Sequence, residues 1–170
     1  GVVGYGEIGK RLVKLLTPFG CTILVHDPYQ QLSATDRVAG VREASLHSLL
    51  ERSDVVTLHP RVTGETRHLI DRDALVRMKP DAILVNTARG ALLDEAALVR
   101  ALKSGKLAAA GLDCFAAEPG GNPAFAALDN VFMLPHVGSA TVRTRDAMGF
   151  RALDNLDAFF AGREPGDRLV

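Results

Sequence analysis

The sequence predicts an α/β fold with a doubly wound parallel sheet. An apolar run leads into a glycine-rich turn, GYGEIG at 4–9, and then into a segment with the apolar spacing of a helix. Short apolar runs typical of buried strands then recur and alternate with segments of helical periodicity. A chain of 170 residues is long enough for one domain with a substantial core.

Five apolar runs after the glycine turn predict the other strands. A proline or a polar turn-forming residue ends most of them, which limits each run to strand length. The predicted strands cover residues 22–26, 54–59, 82–86, 107–113 and 131–134.

Segments of helical periodicity separate these runs. Ser45 and Asp94 each precede such a segment and are expected to cap a helix. The polar stretch 29–44 predicts a loop, and so does the Gly- and Pro-rich stretch 119–123. The predicted helices follow the glycine turn and Ser45, cover 66–78, run from Asp94 to near Gly105, and cover about 139–161.

The glycine turn is typical of a dinucleotide-binding site. Gly4 would make the turn, Gly6 would let a pyrophosphate approach the backbone, and Gly9 would let the helix pack closely on its strand. Asp27 ends the next apolar run, eighteen residues after Gly9, where an acidic residue would hold a ribose diol. Together these residues predict a dinucleotide site rather than a glycine turn without a ligand.

Composition narrows the possible partners. The 20 basic and 20 acidic residues balance, and no basic stripe or long apolar run predicts nucleic-acid or membrane binding. The two cysteines, Cys21 and Cys114, lack metal-ligand spacing and indicate a reducing compartment. We therefore predict a cytoplasmic globular protein without a metal site.

Side chains with catalytic chemistry follow three predicted strands, at the sheet edge where such folds bind ligands. Hydride transfer at a carbinol carbon needs a cation for the substrate's carboxylate, a proton-transfer group with a pKa of about 7, and a carboxylate to orient that group. Arg89, His136 and Glu118 supply one of each. Each residue alone is more often a surface or loop residue, so the prediction depends on their joint placement.

Three stretches resemble the signature motifs of the D-isomer-specific 2-hydroxyacid dehydrogenases. They are VNTARGALLDEAAL at 85–98, GLDCFAAEP at 111–119 and NVFMLPHVGSAT at 130–141. With the glycine turn and Asp27, the resemblance extends over essentially the whole chain in order. It implies a Rossmann-type NAD-binding domain.

The resemblance assigns a role to each matching residue. Arg89 would bind substrate, His136 would be the acid/base, and Glu118 would be its acid partner. Asp113 would bind the nicotinamide carboxamide and Asp27 the adenine-ribose hydroxyls, which favours NAD over NADP because a 2′-phosphate would meet a like charge. The further cofactor contacts would be Gly4, Gly6, Glu7, Ile8, Gly9, Thr87, Ala88, Arg89, His136, Gly138 and Ser139.

Two residues depart from the family pattern. The family often has Arg or another neutral-to-basic residue at the position of Glu7, and an acidic side chain beside a pyrophosphate is unfavourable unless it points to solvent. Proline commonly stands at the position of Arg61, so the path of that loop is open. Glu118 favours a hydroxyacid substrate, because formate dehydrogenases of the family carry Gln there.

The resemblance implies an NAD-dependent oxidoreductase for a small D-2-hydroxy or 2-oxo acid. Glyoxylate or hydroxypyruvate is the preferred substrate and 3-phosphohydroxypyruvate the nearest competitor. The alternative is an NAD(H)-sensing, corepressor-like binding protein. A homodimer is also implied, although the apolar face of helix 139–161 could equally pack on the sheet.

The same resemblance predicts the domain organisation. Residues 1–162 would form the cofactor domain, and 163–170 would begin the return to a substrate domain that is mostly missing from this chain. We therefore expect a piece of a longer polypeptide that binds NAD but turns over poorly or not at all by itself.

Overall fold

A computed structural model describes residues 1–168 of the chain. It divides into two compact units, Gly1–Pro135 and the residues from His136 onward. The last two residues of the predicted return segment, Leu169 and Val170, lie outside the described residues.

The first unit is built on a seven-stranded, all-parallel sheet with the order β3-β2-β1-β4-β5-β6-β7. Strand order reverses direction between β1 and β4, which is the switch point where such sheets bind ligands. This topology confirms the predicted fold class. The strands are β1 (Val2–Val3), β2 (Leu24–His26), β3 (Arg42–Glu43), β4 (Val55–Leu58), β5 (Ile83–Asn86), β6 (Ala109–Leu112) and β7 (Val131–Met133).

Helices connect the strands, and side chains cap them where the sequence predicts. The Ser45 hydroxyl accepts from the Ser48 N–H at 3.2 Å, and the Asp94 carboxylate accepts from the Ala97 N–H at 2.9 Å. The helices are α1 (Glu7–Leu16), α2 (Ala34–Val38), α3 (Leu46–Arg52), α4 (Arg72–Arg77), α5 (Glu95–Lys103), α6 (Pro123–Ala126) and α7 (Val142–Phe160).

Helices pack on both faces of the sheet. Val2 and Val3 are neighbours in β1 but belong to different buried clusters, because successive strand side chains point to opposite faces. The cluster of Val3 includes buried residues of α3, α4 and α5, whereas that of Val2 includes Val13 of α1. Since all strands run parallel, their carboxyl ends share the edge that carries the candidate site.

The predicted loop over 29–44 is wrong in part, because α2 and β3 form there. A capping box starts α2: the Ser33 hydroxyl accepts from the Asp36 N–H at 3.1 Å, and the Asp36 carboxylate accepts from the Ser33 N–H at 3.1 Å. The two residues of β3 lie at the edge of the sheet and are exposed, so no apolar run marks them.

The predicted helix over 66–78 is too long. Helix α4 starts only after Asp71, whose carboxylate accepts from the Ala74 N–H at 2.9 Å. The residue before it, Ile70, instead forms an isolated parallel bridge with Leu93. Two smaller corrections apply: α7 starts at Val142 rather than near residue 139, and the last residue of the predicted loop 119–123 begins α6.

The second unit contains α7, capped by Thr141, whose hydroxyl accepts from the Thr144 N–H at 3.2 Å. Met148, Leu156 and Phe159 on its predicted apolar face are 60%, 51% and 65% exposed. These three side chains are therefore largely exposed. Within residues 1–168, no helix has both the length and the apolar character needed to cross a bilayer.

Candidate active site

The glycine turn joins β1 to α1 at the carboxyl edge of the sheet. Gly4 has a φ of +89°, and a Cβ there would lie 2.6 Å from the Pro60 nitrogen. A Cβ on Gly9 would lie 2.2 Å from the Gly4 carbonyl oxygen, so α1 reaches the strand only because residue 9 is glycine. Around Gly6, in contrast, a Cβ would meet nothing within 4 Å, which leaves open space where a ligand phosphate is expected.

Asp27 ties the glycine turn to the loop after β2. One carboxylate oxygen, Oδ2, accepts from the Tyr5 N–H at 2.7 Å, while Oδ1 accepts from the N–H groups of Tyr29 and Gln30 at 2.8 and 3.1 Å. The carboxylate thus shapes the site as well as offering lone pairs to a ribose. Sequence reasoning did not anticipate this structural role, although an Asp before a Pro is a common signal for such a turn.

A cavity of about 390 Å³ lies between the glycine turn and the loops after β2 and β4. Backbone hydrogen bonds hold these three strand ends together, from Gly4 to the His26 oxygen at 2.8 Å and from His59 to the Val3 oxygen at 2.7 Å. Its lining includes Gly4, Gly6, Asp27 and Arg61. Predicted contacts from the glycine motif and Asp27 therefore come together around one cavity, and the open space at Gly6 fits a dinucleotide.

Glu7 and Ile8 stand at the start of α1. Both are exposed, with Ile8 at 65%, and neither lines the cavity. Tyr5, within the same motif, is buried at 1% exposure, and this burial raises the pKa of its phenol to about 12. Within the motif, Tyr5 and Gly9 are therefore buried, whereas Gly6, Glu7 and Ile8 are exposed.

Arg89 lies in a short loop after β5 that Asn86 organises. The Asn86 side chain donates to the Arg89 carbonyl oxygen at 2.9 Å and accepts from the Ala88 N–H at 3.1 Å. Arg89 and Thr87 are exposed, and the Arg89 guanidinium donates to the Ala88 oxygen at 2.6 Å. Asn86 is fully buried and was missed as a functional residue, although its place at the end of an apolar run was a signal.

The segment after β6 lies directly against this loop. A Cβ on Gly90 would lie 1.9 Å from the Phe115 carbonyl carbon and 2.3 Å from the Ala116 nitrogen. The Asp113 N–H donates to the Asn86 oxygen at 2.9 Å, and the Asp113 side chain is buried. The structure therefore brings the Arg89 loop and the segment carrying Asp113 and Glu118 together.

Two carboxylates shape the segment that carries Glu118. The Glu118 carboxylate accepts from the Phe115 N–H at 2.7 Å, and the Glu95 carboxylate accepts from the Ala116 N–H at 2.7 Å. The same segment carries Cys114, whose thiol pKa is raised to about 11 by burial and by the nearby charges of Glu118 and Asp113. Glu95 is a second residue that sequence reasoning missed.

His136, Gly138 and Ser139 belong to the second unit and are exposed. His136 has a φ of +56°, a left-handed conformation that few non-glycine residues adopt. The joint placement of His136 with Arg89 and Glu118 stays a prediction. Among residues 1–168, no group of His, Cys, Asp or Glu side chains could hold a metal ion.

The fold and the cavity define a Rossmann-type dinucleotide-binding domain. Residues 1–138 match the model of the family described as D-isomer specific 2-hydroxyacid dehydrogenase, NAD binding domain. The chain therefore belongs to this family, and the predicted NAD-binding domain is confirmed.

Named relatives agree with this assignment. The chain is 42% identical over 165 residues to a glyoxylate reductase of Thermococcus litoralis, covering 97% of this chain and 50% of the relative. It is 42% identical over 162 residues to a D-3-phosphoglycerate dehydrogenase of Methanocaldococcus jannaschii, covering 95% of this chain and 31% of the relative. The chain thus spans half or less of the length of these relatives.

A solved structure shows the same fold with a bound dinucleotide. It is the NADPH-dependent glyoxylate/hydroxypyruvate reductase of Sinorhizobium meliloti in complex with NADP and malonate. The TM-score is 0.87 at 37% identity, and the match covers 94% of this chain and 49% of that one.

Proposed function

We propose that the polypeptide containing this chain is an NAD-dependent D-2-hydroxyacid dehydrogenase. It would reduce a small 2-oxo acid to its D-2-hydroxy acid and catalyse the reverse reaction. The observation that carries the proposal is the contact between the Arg89 loop and the Glu118 segment at Gly90, next to the cofactor edge of a domain of this family.

Three side chains would carry the chemistry. The planar guanidinium of Arg89 matches a carboxylate in two parallel hydrogen bonds and would hold the 2-oxo acid. His136, protonated, would give its proton to the carbonyl oxygen as it becomes a hydroxyl, and Glu118 would orient the ring and stabilise its charged form. The nicotinamide, when bound, supplies or accepts the hydride.

The remaining predicted contacts would position the cofactor. Asp27 would accept hydrogen bonds from the adenine ribose, and Asp113 would bind the nicotinamide carboxamide. Further contacts are proposed for Gly4, Gly6, Glu7, Ile8, Gly9, Thr87, Ala88, Gly138 and Ser139. NAD is the preferred form, because a 2′-phosphate would approach the Asp27 carboxylate.

Glyoxylate or hydroxypyruvate is the proposed substrate. A relative named glyoxylate reductase, 42% identical to this chain, supports the assignment. 3-Phosphohydroxypyruvate is the nearest competitor, since a relative named D-3-phosphoglycerate dehydrogenase has the same identity. Neither relative supports the corepressor-like alternative.

A second domain and a second copy complete the proposed enzyme. Residues 163–170 would lead back to a substrate domain, and the cleft between the domains would exclude water during the reaction. The exposed apolar side chains on α7, among them Met148 and Phe159, support a homodimer. A monomeric mass for the full-length polypeptide in sedimentation equilibrium would refute the dimer.

The decisive experiment follows NADH absorbance with the full-length polypeptide and four acids: glyoxylate, hydroxypyruvate, pyruvate and 3-phosphohydroxypyruvate. Arg89→Ala and His136→Ala are compared with Arg67→Ala, an exposed arginine outside the site. We expect turnover of one acid, a loss of about 10²–10⁴-fold in both site variants, and unchanged turnover in the control.

Other outcomes would redirect the proposal. NADH binding without turnover of any acid would refute the assigned substrates. NADH-dependent assembly without turnover would favour the sensor instead. Absence of NADH binding would refute the dinucleotide site itself.

A further inference from the structure

We infer that Arg61 is the cation with which the cavity holds a phosphate group of the cofactor. The inference rests on the proposed function, because it names a contact to the proposed dinucleotide. It concerns a residue outside the glycine motif, on the loop after β4, where the family pattern commonly has proline.

The other ionisable side chains lining the cavity make contacts within the chain, although the Asp27 carboxylate keeps lone pairs for a ribose. Asp27 accepts three backbone N–H groups, as described above. The His26 Nδ1 lies 3.1 Å from the Ala44 oxygen, and the His59 Nε2 lies 3.0 Å from the Thr57 hydroxyl. Among the residues that line the cavity, Arg61 is the arginine, and its side chain is exposed.

The side chain of Arg61 is exposed, and its nearest acidic neighbour in the chain is occupied. Glu65 accepts a hydrogen bond from the Tyr29 hydroxyl at 2.9 Å. Within residues 1–168, the Arg61 guanidinium makes neither an ion pair nor a hydrogen bond. Its charge is therefore available to an anion in the cavity.

The loop that carries Arg61 is held by other groups. The Thr66 hydroxyl donates to the Arg61 carbonyl oxygen at 2.6 Å, and the Thr63 N–H donates to the Thr66 hydroxyl at 2.8 Å. The Arg61 guanidinium takes no part in these hydrogen bonds. Removing it should change the charge of the cavity without changing the path of the loop.

A negative charge at the start of α1, outside the lining of the cavity, makes such a cation useful. Glu7, at the start of α1, brings a negative charge to the end of the helix that would receive phosphates. A nearby carboxylate weakens phosphate binding, whereas an arginine can donate two parallel hydrogen bonds to a phosphate. Arg61, on the loop after β4, would supply the positive charge that the acidic residue Glu7 cannot.

Two phosphate positions of a nicotinamide dinucleotide are candidates for this contact: the diphosphate that NAD and NADP share, and the 2′-phosphate that NADP alone carries. A contact to the 2′-phosphate would reverse the proposed preference for NAD. The cavity includes Gly6, expected beside the diphosphate, and Asp27, expected beside the ribose whose 2′-position carries a phosphate in NADP. Both groups offer the same chemistry to a guanidinium. Ligands that carry only one of them distinguish the two sources.

The test measures dissociation constants by calorimetry for adenosine, 5′-ADP, 2′-AMP and NADH. It uses the full-length polypeptide with Arg61→Ala, the charge-retaining Arg61→Lys, and the matched control Arg67→Ala. Arg67 is exposed, lies further along the same loop and does not line the cavity.

We expect Arg61→Ala to weaken the binding of 5′-ADP or 2′-AMP by about 10-fold or more, because a charge-assisted hydrogen bond is lost. Arg61→Lys should retain part of the affinity. Adenosine should change less than about twofold, and so should every ligand in Arg67→Ala. The probe whose binding is weakened identifies the phosphate group that Arg61 contacts.

The inference would be overturned if Arg61→Ala bound 5′-ADP and 2′-AMP as tightly as the parent does. The proposed function would then stay intact. An equal loss of adenosine and the phosphate probes would also overturn it, because the effect would not depend on phosphate. If the parent bound neither NADH nor adenosine, both the inference and the proposed function would fail.

Discussion

Replacing Gly90 by alanine tests whether the Arg89 loop must lie against the Glu118 segment. The added Cβ would start 1.9 Å from the Phe115 carbonyl carbon, and ordinary contact begins at 3.4 Å, so the two segments must separate by about 1.5 Å. Both partners are backbone, so no side-chain rotation can relieve the contact. Overpacking of this kind costs roughly 1–3 kcal/mol in free energy of unfolding.

The turnover rate should fall as well as the stability. Arg89 directly precedes Gly90, and a displacement of about 1 Å at a catalytic group can lower the rate by about 10²-fold. The measurements are urea unfolding and NADH-linked turnover of the full-length polypeptide. Gly149→Ala is the matched control, because residue 149 is exposed in α7 and its Cβ would meet nothing within 4 Å.

We expect the control to unfold at equal or higher urea concentration, since alanine is favoured over glycine inside a helix by about 0.5–1 kcal/mol. The reasoning would be refuted if Gly90→Ala matched the parent within about 0.5 kcal/mol and kept its turnover.

Two further predictions concern thiol reactivity and pH. Burial and nearby carboxylates raise the pKa of Cys114 to about 11, so a thiol reagent should label exposed Cys21 rapidly and Cys114 only after unfolding; rapid labelling of both native thiols would contradict this. Burial lowers the pKa of His59, so on acidification the imidazole is protonated at a higher pH in the unfolded state than in the native state. The free energy of unfolding should therefore fall as pH drops from about 7 to 5. His59→Gln should flatten that decline in urea unfolding, the exposed control His47→Gln should not, and identical slopes in both variants would exclude His59 as the cause.

Elements with a strong local signal could be predicted from sequence. Asp94 before an apolar-periodic segment defined the start of α5, and the alternation of apolar runs with helices defined the parallel sheet. Edge strand β3 could not be found in this way, because its residues are exposed and its pairing partner β2 is distant in the chain. The helix predicted over 66–78 was too long for a related reason. Ile70 pairs with Leu93, and the apolar spacing of a short segment gives no information on such a long-range contact.

The candidate site shows the same division. Its motif residues could be named from the chain, because a glycine turn or an arginine after a strand carries its chemistry in a short stretch of sequence. The residues that support them, such as Asn86 and Glu95, were missed because their partners lie in loops whose path depends on the fold.

The sequence by itself determined six of the seven strands, the helices with strong caps or apolar spacing, their order, and which residue types stand at the ends of those strands. Those properties follow from caps, breakers and apolar spacing, all of which act over a few residues. Only the tertiary structure decided that Asp27 is held by the Tyr5 backbone, that Gly90 touches the Phe115 backbone, and that Arg61 and the glycine turn line the same cavity. These contacts join segments far apart in the chain, so they exist only once the parallel sheet has brought its carboxyl ends to one edge.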